Sequence, residues 1–135
     1  MSRLWSAALG CLLLFLMCAL PGVARSVPIP QAGDPTRGQD IFERRCTGCH
    51  ALEQNREGPR LQGVFGRTSG TVPGYPYSPD LVKAAIVWNE SSLEKWLSGP
   101  DILVPGTGMD FHVPNPAERQ DLISFLKQTS GKPSQ

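Results

Sequence analysis

Residues 58–80, GPRLQGVFGRTSGTVPGYPYSPD, hold five glycines and four prolines in 23 positions. No helical or strand period survives that density of turn formers, because proline removes a backbone donor and glycine loses the most entropy on ordering. Yet the same stretch carries Leu61, Val64, Phe65, Tyr75 and Tyr77. A long irregular segment with so much apolar side chain cannot build its own core and is expected to wrap something. What it encloses is the first question the sequence poses.

The flanking segments read as helices. Asp34 followed by Pro35 is a cap residue with proline at the first helical position. Gly38, Phe42 and Cys46 then recur every four residues beside Ile41 and Cys49, which predicts a helix over 35–48. Ser78–Pro79 repeats that start for a short helix reaching about Ala85. Ser91 and Glu94 have capping-box spacing for a helix ending near Gly99–Pro100, with Leu93, Trp96 and Leu97 as its apolar face. Asn115–Pro116 opens a last helix whose buried stripe is Leu122, Ile123, Phe125 and Leu126. No alternating strand pattern, repeat or heptad array appears, so the expected fold is a small all-α domain of four to five helices and long loops.

The first 24 residues read as a secretory signal: Arg3, the apolar run AALGCLLLFLMCAL, then Pro21–Gly22 and small residues at Gly22 and Ala24. The run has 14 residues, short of the roughly 20 that span a bilayer. Its removal leaves 111 of the 135 residues, two of the four cysteines (Cys46, Cys49) and one of the three methionines (Met109). RSVPIPQAG (25–33) is a leader, the domain runs over 34–130, and 131–135 form a tail. Without Arg3 the chain has 12 basic and 12 acidic residues, a balance that excludes ordinary nucleic-acid binding. So small a helical core with so much irregular chain calls for a bulky insert.

CTGCH, residues 46–50, names candidates for that insert. Structural zinc wants four ligands in separated pairs, and the exported chain offers only Cys46, Cys49, His50 and His112. A thioredoxin-like dithiol sits at a helix N-terminus, where its thiol pKa falls. This motif ends a helix, where the dipole acts the other way. The third reading is covalent haem attachment, the C-x-x-C-H signature. Thiols one turn apart reach the two vinyl groups of one porphyrin, and the adjacent imidazole reaches the iron. A sixth ligand is then needed. Met109 lies in the glycine/proline loop VPGTGMDF, and His112 is the other candidate.

GDPTRGQDIFERRCTGCH, GPRLQGVFGR, PGYPYS, Trp88 eleven residues after Tyr77, LVPGTGM and ERQDLISFLK occur in an order and spacing that resemble class I cytochrome c, from Gly33 to about Lys127. The resemblance implies that fold, wrapped round one haem c held by Cys46 and Cys49, with His50 and Met109 on the iron. It further implies that Pro59 accepts from His50, and that Arg67, Tyr77, Ser78, Trp88 and Thr107 serve the haem propionates. Gly38 and Phe42 would meet Leu122 and Phe125 where the terminal helices cross.

By the same resemblance the protein would be a monohaem electron carrier rather than an enzyme, and with its signal pattern it would be periplasmic. It would be a monomer that meets a redox donor and acceptor, and it would touch membrane only through docking or an uncleaved signal. The alternatives are a haem subunit dedicated to one redox enzyme and a haem-based small-ligand sensor. Four departures from the mitochondrial pattern stand out. The loop after His50 reaches Gly58–Pro59 three residues sooner, as in a bacterial variant. Trp96 replaces a frequent tyrosine that reaches the ligand methionine, and Leu81 a usual asparagine near a buried water. Asp101, Ile102 and Gly108 stand where lysines ring the haem edge.

Overall fold

Helix starts are local matters, and three of the four predicted ones form as expected. In a computed structural model describing residues 32–131, the elements are α1 (Pro35–Arg45), α2 (Pro79–Ala84), α3 (Glu90–Ser98), α4 (Pro100–Leu103) and α5 (Pro116–Ser130). The signal reading over 1–24, nearly all of the leader and the tail beyond 131 lie outside the described residues. Among those residues the only β feature is an isolated bridge between Thr68 and Val87. The domain is all-α.

Asp34 Oδ1 accepts from Thr36 N–H at 2.8 Å, Ser78 Oγ from Leu81 N–H at 3.3 Å, and Asn115 Oδ1 from Ala117 N–H at 2.9 Å. Each precedes a proline at the first helical position, where its missing donor costs nothing. The cap of α3 differs from expectation. Asn89, not Ser91, caps it: Asn89 Oδ1 accepts from Ser92 N–H at 3.0 Å, and Ser92 Oγ accepts from Asn89 N–H at 2.8 Å. Starting there puts buried Trp88 just before the cap and buried Leu93 on the first turn, the apolar pair that fixes a helix entry. Glu94, left out of the cap, instead accepts from Arg119 Nε at 2.6 Å.

α1 ends at Arg45, three residues before the expected 48. Cys46 closes it, donating its N–H to Phe42 carbonyl at 2.9 Å. Beyond it Cys49 N–H returns to Cys46 carbonyl at 3.1 Å, a tighter three-residue turn in which Gly48 is a poor helix former.

α1 and α5 cross at Gly38, where a Cβ would strike the Asp121 carbonyl and lie 2.8 Å from Phe125 Cβ. Beside the crossing the Phe42 and Phe125 rings meet at 5.4 Å. Asp121 locks it: its carboxylate accepts from Arg37 Nε at 2.8 Å, Arg37 Nη2 at 2.9 Å and Asp34 N–H at 2.7 Å. The Arg37 bonds, foremost, hold the Asp121 pKa below the usual carboxylate range. Phe42 and Leu122 point on from this crossing into the enclosed space.

The glycine/proline stretch does wrap that space. Gly63, Gly66, Gly70 and Gly74 take left-handed φ, reversing the chain where other residues would be strained. Val64 and Val72 are thereby buried, and Leu61, Phe65 and Tyr77 pack on the core.

Candidate functional site

The turn after α1 builds one wall. Cys46 is half-buried and Cys49 exposed, and neither is in a disulfide. Burial, the main cause, pushes the Cys46 thiol up to about 11, with Cys49 adding and Arg45 opposing. That is the reverse of an activated redox thiol. His50 follows, its N–H on Cys46 carbonyl at 2.8 Å.

The His50 ring is oriented by one bond. Nδ1 lies 2.8 Å from the Pro59 carbonyl. A carbonyl only accepts, so Nδ1 carries the hydrogen and Nε2 keeps its lone pair for a ligand. Burial lowers the His50 pKa against the opposing effect of the Pro59 bond, which favours the neutral, ligating form. Gly58 lies against the ring: a Cβ there would come within 2.6 Å of Nδ1 and 2.7 Å of Nε2.

Met109 comes from the loop between α4 and α5. Its Sδ accepts from Trp96 Nε1 at 3.2 Å, and Trp96 packs edge-on against Trp88 with centroids 5.2 Å apart. Met109 and His50 line one cavity of about 430 Å³, a size typical of cofactor sites. His112, the other candidate ligand, is exposed and does not line it.

Arg67, Tyr77, Ser78, Trp88 and Thr107 border the same cavity. Arg67 donates to the carbonyls of Gln62 at 3.1 Å and Arg60 at 2.9 Å. Burial lowers its pKa, Tyr77 opposing and Arg60 adding, and burial likewise raises that of Tyr77. The Ser78 hydroxyl accepts the α2 cap bond and keeps its own hydrogen to donate. Thr107 Oγ1 is buried with no partner, a costly state unless the site's occupant supplies an acceptor. A guanidinium and hydroxyls gathered without a buried carboxylate suit an anionic group. Leu81 and Trp96 make the neighbouring wall apolar.

All ten sequence-predicted site residues therefore line one cavity. Its donor set fits haem: two thiols and an imidazole nitrogen on one wall, a thioether on another, apolar side chains between them, and hydrogen-bond donors for carboxylates. Among the described residues no group of three or more His, Cys, Asp and Glu converges as a metal site, so the zinc reading finds no cluster. Arg119 was given no role by sequence. Its signal was there: it shares the α5 face of Leu122, Ile123 and Leu126, an odd place for a cation.

The sequence profile of the family described as Cytochrome c matches residues 35–130. Cytochrome c of Euglena viridis is 48% identical over 98 residues, covering 70% of this chain and 96% of that protein. Cytochrome c of Chlamydomonas reinhardtii is 44% identical over 103 residues, covering 73% and 92%. Among solved structures, cytochrome cH from Methylobacterium extorquens superposes with a TM-score of 0.68 at 38% identity, covering 71% of this chain and 99% of that one. The chain belongs to the cytochrome c family, whose members carry one covalent haem c and transfer electrons.

Proposed function

We propose that the protein is a periplasmic electron carrier in which His50 and Met109 ligate the iron and Cys46 and Cys49 hold the haem. The observation that carries this is the pairing of His50, its free Nε2 defined by Pro59, with Met109 Sδ on walls of one cavity. The haem, when bound, supplies a one-electron Fe(II)/Fe(III) couple, which His/Met ligation places at higher potential than two imidazoles would. Pro59 holds the imidazole neutral and aimed. Trp96 holds the thioether, and the Leu81 and Trp96 walls keep water from the inner side. Arg67, Tyr77, Ser78, Trp88 and Thr107 anchor the propionates.

Export rests on the signal pattern over 1–24, followed by a domain over 34–130. Among the described residues no helix is long and apolar enough to cross a membrane. By the resemblance, donor and acceptor would meet a surface where Arg45, Asp101, Ile102 and Gly108 stand in place of the mitochondrial ring of lysines. Arg45 is tied to Glu118 at 3.1 Å, Asp101 and Asp110 are exposed, and Ile102 is 83% exposed. Docking to an apolar partner face, weakly sensitive to salt, is the mode this composition supports.

The test is the visible spectrum of protein matured in a bacterial periplasm. Sharp reduced c-type bands together with a weak far-red methionine-to-ferric-iron band are expected. C-type bands without the far-red band would remove Met109 as ligand, and absence of attached haem would remove the whole reading.

A further inference from the structure

The geometry points to Arg119 as the positioning residue that keeps Met109 on the iron, an inference that rests on Met109 being the ligand. Arg119 is only 9% exposed. Its Nη1 donates to the carbonyls of Val113 at 2.7 Å and Pro114 at 2.9 Å, while Nε donates to Glu94 on α3. The second Glu94 oxygen accepts from Gln120 at 2.9 Å. One guanidinium thus joins α5, α3 and the end of the Met109 loop.

That loop has few other holds. At its start Val104 N–H donates to Pro100 carbonyl at 2.8 Å, and Thr107 N–H to Val104 carbonyl at 3.2 Å. No other backbone hydrogen bond from residues 108–112 is made among the described residues; the next is Val113 N–H to Leu97 carbonyl at 2.7 Å. Val113 is completely buried. It is therefore pinned on both sides, through its N–H by α3 and through its carbonyl by Arg119. The same α3 carries Trp96, which donates to Met109 Sδ. Arg119 fixes the end of the loop against the helix that holds the ligand, so its removal leaves Val113 held through its N–H alone and loosens the segment from 108 to 112. Bonds from a charged donor to buried carbonyls are the strong kind. Their loss also leaves Glu94 Oε1 and two carbonyls without a donor.

A second ion pair provides the control. Lys127 Nζ and Glu90 Oε1, 2.7 Å apart, also join α5 to α3, but both are exposed and neither touches the loop. The experiment measures the affinity of exogenous imidazole for the ferric, haem-loaded protein, since imidazole enters only when Met109 leaves. Arg119→Gln should tighten imidazole binding about tenfold, as expected for loss of charged hydrogen bonds, and weaken the far-red band. Lys127→Ala should leave both unchanged. Arg119→Lys, which keeps the charge but cannot fork, should fall between and serves if the Gln variant does not mature.

Unchanged imidazole affinity in the Arg119 variants, or an equal change in Lys127→Ala, overturns the positioning role. A missing far-red band in the unsubstituted protein overturns the Met109 reading and this inference with it, so the two failures are told apart by the unsubstituted protein alone.

Discussion

Trp96 Nε1 donates to Met109 Sδ at 3.2 Å. An indole N–H can only donate, so the bond has a defined sense. It draws electron density from the sulfur, and a poorer thioether donor favours ferrous over ferric iron. Trp96→Phe should therefore lower the reduction potential. A hydrogen bond on the order of 1 kcal/mol corresponds to about 40 mV for one electron, an upper limit here because the bond differs only partly between oxidation states. Potentiometric titration checks it, and a higher potential in the variant would refute the sense assigned to the bond.

Gly58→Ala should impair haem binding, because the added methyl would occupy the His50 ring position. Overpacking of this kind costs about 1–3 kcal/mol. The readout is the yield of haem-loaded protein relative to total chain, expected to fall sharply. Full loading with an unshifted spectrum would show that the ring has room to move.

Asp121 makes acid stability depend on one crossing. Its pKa is lowered in the folded state, chiefly by Arg37. A depressed carboxylate contributes stability that is fully present above the unfolded value of about 4 and lost as pH falls through the folded one. Asp121→Asn should be less stable at pH 7 and should flatten the acid limb of the stability curve below pH ~4. Denaturant midpoints between pH 2 and 7 would show it; parallel curves for the two proteins would contradict it.

Ala85 closes α2 with φ of 47°, the only non-glycine residue among the described ones in the left-handed region. The Cβ cost of that region is relieved by glycine, the usual residue at such a helix end. Ala85→Gly should raise stability by about 0.5–1 kcal/mol after the entropy that glycine loses. Thermal unfolding of the ferric protein reads the gain, and the visible spectrum should stay the same because Ala85 does not line the cavity.

Much of this molecule was legible in the sequence because the deciding forces are local. Asp34, Ser78 and Asn115 cap helices through bonds to residues two or three positions on. The Cys46–Cys49–His50 spacing brings three groups to one wall within a single turn, and Gly38 marks a backbone contact that any side chain would block. The unpatterned apolar residues of 58–80 required something to enclose. Other features depended on where distant segments return. Asn89 displaced Ser91 as the α3 cap because Trp88, fixed through its N–H to the Arg67 carbonyl at 2.9 Å, sets where that helix begins. Glu94 looked like half of a local cap, yet its partner Arg119 lies 25 residues away on another helix. Whether Trp96 and Met109 bond at all also waited for the loop to be laid against α3. Local hydrogen bonding and periodicity thus determined which elements form and which groups can bind haem. The long-range packing of α3, α5 and the loop decided how the Met109 thioether is held.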